Sequence, residues 1–398
     1  MSVFVAIIGL AFLILIHEAG HFFSALAVGM RPRKFYVGFP PPLVRVRRRG
    51  IEYGIGTIPL GGYVKIPGMH RPAARDLDFR LQPAMSRTPG LVKPLEAVKR
   101  PLALGDYEEA RAALDELERA LRQANEPTEV LTDVRDALAP DAYWRQRAWK
   151  KVLVIFAGPG TNALFAVVVF AVLFMIGGGK ATTTVEDVLA DSPAAHMGVH
   201  GGDRILAIDG HRIRQPVDIP RIISRSDGHA VTLLVRRDGR TVKLGPARPE
   251  QIDGVDRLGF LLRGQGLGAF AATEESVGLT WRVSRDIITS LSHLVHRQGR
   301  EDISSPVGIV QGSSEAVDQG GQSYLWVLGL ISLSLALLNL LPLLPLDGGH
   351  IFFSVLEAVR GRAVAREVYE RVSAIGIALV LLLFFIGLSN DVGRIGGG

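Results

Sequence analysis

Two histidines four residues apart, with a glutamate beside the first, form the segment His17-Glu18-Ala19-Gly20-His21. On a helix, positions i and i+4 share a face, so both imidazoles reach one ion. Zinc accepts neutral imidazole nitrogen, and a catalytic zinc takes three protein ligands and leaves a fourth position to water. Glu18 then stands where it can take a proton from that water, whose pKa the metal lowers towards neutrality. The chemistry expected is metal-assisted hydrolysis, with Zn2+ as cofactor and Glu18 as the catalytic base. The chain has no cysteine, which excludes thiolate ligands, a cysteine nucleophile and disulfides. The third metal ligand expected beside His17 and His21 is Asp347, in Leu346-Asp347-Gly348-Gly349. Pro342 and Pro345 interrupt regular helix just before it. Irregular backbone at membrane depth is tolerated where it lines a cavity, which hydrolysis requires. His350 is better suited to a supporting role, because a fourth protein ligand would close the open position.

The elements that must hold these residues are apolar. The 398-residue chain is 48% hydrophobic, and the excess sits in four blocks: Val3 to Val28, Val152 to Ile176, Tyr324 to Leu344 and Val372 to Leu388. Each is long enough to test as a membrane span. The first lacks a basic leader and is interrupted by the His-Glu-His cluster, so it does not read as a signal peptide. A carboxylate and two imidazoles inside a span are costly unless paired or functional. The net charge of +6 could suit nucleic acid. The charges flank the apolar blocks instead, and no nucleic-acid partner is expected. Residues 31–50 hold seven basic side chains and no acidic one, which places them in the cytoplasm. Parity then puts the N-terminus, residues 180–323 and the C-terminus outside. It brings His17, His21 and Asp347 to the cytoplasmic half of the bilayer.

Between the spans, residues 51–66 read as a β-hairpin turning at Pro59, Gly61 and Gly62, within a cytoplasmic-side region 31–70. Residues 71–142 are polar and rich in Ala and Arg, a cytoplasmic helical insert with one amphipathic helix over 106–123. Span two occupies 143–178. Residues 181–264 form a small α/β module, with strands at 204–208, 231–235 and 241–244 and turns at Asp209-Gly210 and Asp238-Gly239. Residues 265–323 comprise an amphipathic helix over 274–297 and a linker. Span three with Asp347 takes 324–350, a cytoplasmic loop 351–371 and span four 372–390.

The segments HEAGH (17–21), GIGTIPLGGYVK (54–65), AGPGTN (157–162), SPAAHMGVHGGDRILAIDG (192–210), SPVG (305–308) and NLLPLLPLDGG (339–349), in that order, resemble the site-2 protease family of intramembrane zinc metalloproteases. The bacterial regulator-of-sigma-E protease branch is the most similar. The resemblance covers nearly the whole chain except residues 71–142. It implies an α-helical polytopic membrane protein with four transmembrane helices, a membrane-associated β-hairpin and one extracytoplasmic PDZ-like α/β domain in a bacterial inner membrane. It implies cleavage of single-pass transmembrane proteins within the lipid bilayer, such as anti-sigma factors or remnant signal peptides, after an upstream site-1-type protease has trimmed them. It further implies that the hairpin pairs with extended substrate, which makes Gly61, Gly62 and Tyr63 expected substrate contacts; Asn339, before the helix break at Pro342 and Pro345, is the other expected contact, with a hydrogen bond between helices as its equal alternative. Adding a transmembrane segment to a sheet edge exposes carbonyls that a helix hides. The chain departs from the family pattern at Leu344, where a second proline is usual, and in having room for a single PDZ-like module.

Overall fold

The computed structural model describes residues 1–178, 180–252, 255–295 and 305–396. The chain divides into two compact units, one comprising Met1–Ala166 with Ser284–Gly398 and the other Val167–Val283.

The larger unit begins with helix α1 (Ser2–Ala27), which carries the His-Glu-His segment. Strands β1 (Lys34–Arg48) and β2 (Ile51–Lys65) come next. They reverse at Arg49-Gly50, both at positive φ (50° and 82°), as tight hairpin turns require. The reversal expected within 51–66 is present, since 52–55 and 62–65 run in opposite directions along residues 34–37, but its two arms do not pair with each other: residues 34–37 lie between them. The register shows how the two strands fold over each other. Tyr36 faces Gly54 on one side and Tyr63 on the other, and Val37 likewise faces Ile55 and Gly62. Residues 34–37 therefore run between 52–55 and 62–65. Tyr36 is fully buried, and a methyl group on Gly54 would lie 2.5 Å from its ring.

The insert is a folded bundle: α2 (Ala74–Arg87), α3 (Val92–Leu104), α4 (Tyr107–Gln123) and α5 (Thr132–Leu138). Ala110, Leu114, Leu117 and Leu121 recur at helical spacing on α4 and close a core with Leu77, Leu95 and Leu131. Asp106 caps α4 by accepting the Glu109 amide at 3.0 Å. The bundle is fastened to the sheet by charge. Lys65 bridges Asp133 and Asp136 (2.7 and 3.0 Å), and Arg33 reaches Asp136 and Asp141 (both 3.0 Å).

Helix α6 (Ala148–Leu173) is the second long apolar helix. In the smaller unit, strands β3 (Lys180–Val188), β4 (Arg204–Ile208), β5 (His211–Arg212), β6 (Val231–Arg237), β7 (Arg240–Ala247), β8 (Glu250–Ile252), β9 (Val255–Arg257) and β10 (Phe260–Gln265) alternate with short helices α7 (Pro193–His196) and α8 (Asp218–Ser224). The main sheet is antiparallel in the order β10-β3-β4-β6-β7, with β5 beside β4. Its hairpins turn at Asp209-Gly210 and Asp238-Gly239, all at positive φ. Buried Asp203 accepts both arms of the Arg237 guanidinium at 2.7 Å.

Helix α9 (Ala269–Val295) leads back to the larger unit. The linker expected before residue 323 contains, in its described part, α10 (Pro306–Gln319), which packs against α1. Ser305 caps it, and Asp391 accepts from the Ser305 hydroxyl and from the amides of Ser305 and Gly308 (2.6–3.0 Å). Its Gly, Ser and Gln content masks it in the sequence. Helix α11 (Gly321–Asn339) ends where Pro342 and Pro345 forbid its continuation. Much of the expected loop over 351–371 is instead α12 (Asp347–Arg360), and α13 (Arg366–Gly396) closes the chain. By length and composition α1, α6 with its extension to Gly177, α11 and α13 can each cross a membrane.

Candidate metal centre

His17 and His21 lie one turn apart on α1 and are almost fully buried (7% and 6% exposed). Asp347 arrives from the first turn of α12. The three side chains meet with His17 Nε2 at 3.1 Å and His21 Nε2 at 3.4 Å from Asp347 Oδ2, and 3.2 Å between the two nitrogens. His21 Nδ1 donates to the Val154 carbonyl at 2.8 Å, which leaves Nε2 as a lone pair. The Asp347 carboxylate oxygen and the two imidazole nitrogens converge within one another's reach, and a cation among them would be held by all three. Ligand atoms about 2.0–2.1 Å from a tetrahedral zinc stand about 3.3–3.4 Å apart, and the observed triangle is close to that size. The donor set and its spacing therefore fit zinc.

The surroundings are shaped by glycines. A methyl group on Gly158 of α6 would sit 2.2 Å from His21 Nε2, and one on Gly20 would sit 2.3 Å from the Ala157 carbonyl oxygen. Helices α1 and α6 can approach this closely only where both lack a Cβ. The Thr161 hydroxyl lies 3.0 Å from the Ile16 carbonyl and adds a hydrogen bond to the same contact. Gly348 and Gly349 tuck under the loop after α11: a Cβ on them would fall 2.2 Å from the Leu340 carbonyl oxygen and 2.6 Å from the Leu344 amide. This is how α12 starts early enough to present Asp347.

Glu18 is placed between the cluster and the sheet. A methyl group on Gly62 would lie 2.3 Å from its Cγ, and the Val64 backbone amide reaches its carboxylate. Of the expected substrate contacts, Gly62 is therefore against Glu18, and Gly61 and Tyr63 flank it on the same strand. Asn339 ends α11 and donates to the Leu335 carbonyl of its own helix at 3.1 Å. It is not one of the three side chains that form the metal cluster. His350 stands outside the triangle, with its ring 6.5 Å from that of His70. Nothing in the sequence signalled Val154, and Gly158, within AGPGTN at 157–162, had no expected role at the centre. The signal for Gly158 was Gly158-Pro159-Gly160, three poor helix formers within a long apolar helix.

A profile of peptidase family M50 matches residues 5–383. The chain belongs to peptidase family M50. A protein of Rhizobium meliloti (strain 1021) named "Putative zinc metalloprotease" is 31% identical over 402 residues, covering 96% of this chain and 94% of the relative. A Brucella suis biovar 1 (strain 1330) protein of the same descriptive name is 29% identical over 405 residues, covering 96% and 93%. "Metalloprotease MmpA" of Caulobacter vibrioides is 29% identical over 415 residues, covering 97% and 94%. As an M50 peptidase this chain cuts peptide bonds, and its four apolar helices fit a membrane protein.

Proposed function

We propose that this M50 peptidase is a zinc metalloprotease that hydrolyses peptide bonds inside the membrane, with His17, His21 and Asp347 holding the ion and Glu18 moving the proton. The observation that carries the reading is the triangle of His17 Nε2, His21 Nε2 and Asp347 Oδ2 with Glu18 beside it. Bound zinc would polarise the scissile carbonyl and lower the pKa of the attacking water. Glu18 takes that water's proton and passes it to the departing amine nitrogen, as a base and then an acid within reach of both. Both imidazoles are buried, which strengthens their electrostatic contacts.

The substrate reading comes from the sheet. Among the described residues, 62–65 have strand partners only in 34–37, and that strand runs past Glu18. An extended peptide added there would present its carbonyls to the centre. We read the substrates as pre-trimmed single-pass membrane proteins, of the anti-sigma-factor or remnant-signal-peptide type, that reach the enzyme after an upstream protease. We read the antiparallel module at 181–264 as an extracytoplasmic PDZ-like domain that filters substrates. The basic run at 31–50 supports a cytoplasmic position for the sheet and insert, in a bacterial inner membrane.

The test is reconstituted cleavage of a pre-trimmed single-span substrate by wild type and Glu18→Gln, with bound zinc measured in both. Loss of cleavage with zinc retained is expected. Equal cleavage by both would overturn the role of Glu18, and absence of zinc from both would overturn the metal site.

A further inference from the structure

Helices α6 and α12 pack side by side. Ile351 of α12 packs against a cluster that contains Val154 and Ile155 of α6, and one to two turns on, Glu357 pairs with Lys151 at 3.3 Å. Rising numbers on one helix meet falling numbers on the other, so the two run antiparallel. Beside this contact they leave a groove open to the outside. Trp149, Leu153 and Phe156 of α6 line it with Val355 and Val359 of α12, and all five are exposed. Every residue along it is apolar. On α6 it runs from Ala148 to Phe156, about 12 Å at 1.5 Å per residue. One end is basic. Arg147 precedes Ala148 and Arg360 follows Val359, and both are exposed. The antiparallel packing puts them at the same end. Lys150 adds a third charge there, with its ammonium donating to the Val28 carbonyl at 2.9 Å. None of the three has a carboxylate partner among the described residues. Glu357 is taken by Lys151 and by the Val364 amide at 3.0 Å.

We propose that this groove holds an acyl chain of an anionic phospholipid, with the lipid phosphate at Arg147 and Arg360. The proposal rests on the reading of α6 as a membrane span. The hydrocarbon core of a bilayer is about 30 Å thick, so one leaflet contributes about 15 Å. A groove of about 12 Å that begins at the basic edge of a span fits an occupant confined to one leaflet. A lipid is so confined, and a second spanning helix is not. The basic end selects the headgroup. A guanidinium and a phosphate match as a fork, with two parallel N–H···O bonds. A zwitterionic headgroup brings a cation of its own, which the uncompensated charges of Arg147, Lys150 and Arg360 repel. Trp149 stands at the same end, the level at which indole rings sit in membranes. A chain lodged here packs against both helices that shape the metal cluster. Helix α12 presents Asp347, and α6 accepts from His21 at the Val154 carbonyl.

The test places the full chain in phosphatidylcholine bilayers that contain a small fraction of lipid brominated on its acyl chains, which quenches tryptophan on contact. The Trp149 signal is the difference between wild type and Trp149→Phe. Brominated phosphatidylglycerol should quench it at a mole fraction roughly fivefold or more below that needed with brominated phosphatidylcholine, since each basic residue beside anionic lipid contributes about that factor. Arg147→Gln combined with Arg360→Gln should abolish the preference. Ala358→Phe, which fills the groove and keeps both arginines, should weaken quenching by either lipid. A preference that survives the paired arginine changes, or quenching that Ala358→Phe leaves unaltered, overturns the inference. Equal quenching of Trp149 by the two lipids also overturns it and leaves α6 in the membrane. Quenching of the other tryptophans without Trp149 overturns it too, and shows that protein, such as a second copy of the chain, covers the groove. If neither lipid quenches any tryptophan, the membrane reading itself fails.

Discussion

Gly158 of α6 approaches His21 of α1 so closely that one methyl group on it would lie 2.2 Å from the imidazole Nε2. The atom concerned is the proposed metal donor, so the helix contact and the ligand geometry are one constraint. Gly158→Ala should force the imidazole aside while α6 stays helical. We expect about 10–100-fold weaker zinc binding, the range seen when a ligand's supporting contacts are lost. Zinc titration against a competing chelator checks this, and wild-type affinity would show that the ring can yield without cost.

Replacing Glu18 by Gln keeps the shape and removes the base. Cleavage should fall by roughly 10²–10⁴-fold, the usual contribution of general acid–base groups. Zinc content, read by atomic absorption, should be unchanged because Glu18 is not a ligand in this arrangement.

Metal removal should be felt by one unit alone. A ligand that binds only the folded state stabilises it by mass action. Chelation should therefore speed amide exchange in α1 and in the first turn of α12. The 167–283 unit, which contains no proposed ligand, should exchange as before. Uniform acceleration throughout the chain would contradict this.

Asp136 is buried and holds Arg33 and Lys65 at 3.0 Å each. Asp136→Ala leaves two half-buried cations short of a partner. The expected loss is about 1–3 kcal/mol in the contact between sheet and insert. Limited proteolysis within 71–142 should become faster in the variant, and an unchanged digestion pattern would argue that Asp133 and Asp141 suffice.

The smaller unit should weaken in acid. Burial pushes the Asp203 carboxyl up, but the bidentate Arg237 guanidinium and the His200 amide outweigh it and hold the group below the ordinary carboxylate value. A depressed carboxyl adds stability that is complete above its unfolded value of about 4 and is lost as pH falls through the lower folded value. The melting temperature of the 167–283 unit should therefore decline below about pH 4. Asp203→Asn should be less stable at neutral pH and show a flatter acid limb in a melting series.

The local patterns were readable in the sequence for definite reasons. His17 and His21 declare a shared face by their spacing, the turns at Asp209-Gly210 and Asp238-Gly239 have unmistakable chemistry, and the leucines of α4 repeat at the helical period. Strand β1 was not readable. Pro40, Pro41 and Pro42 interrupt it, and Arg45, Arg47 and Arg48 crowd its second half, so its partnership with β2 depends on register rather than composition. Helix α10 was hidden by its Gly, Ser and Gln content and is held by Asp391, far away in the chain. The start of α12 was hidden because it depends on Gly348 and Gly349 fitting under a loop, a three-dimensional requirement with no periodicity to announce it.

The proposed donors come from opposite ends of the chain, two from its first helix and one from its next-to-last. While the ribosome is still making this protein, the emerging segment has two imidazoles and a carboxylate but lacks the donor that completes the triangle. On the proposed ligand set, the centre is complete only when α12 has been made and has folded back on α1, and a chain stalled or truncated before residue 347 should bind no zinc at this site.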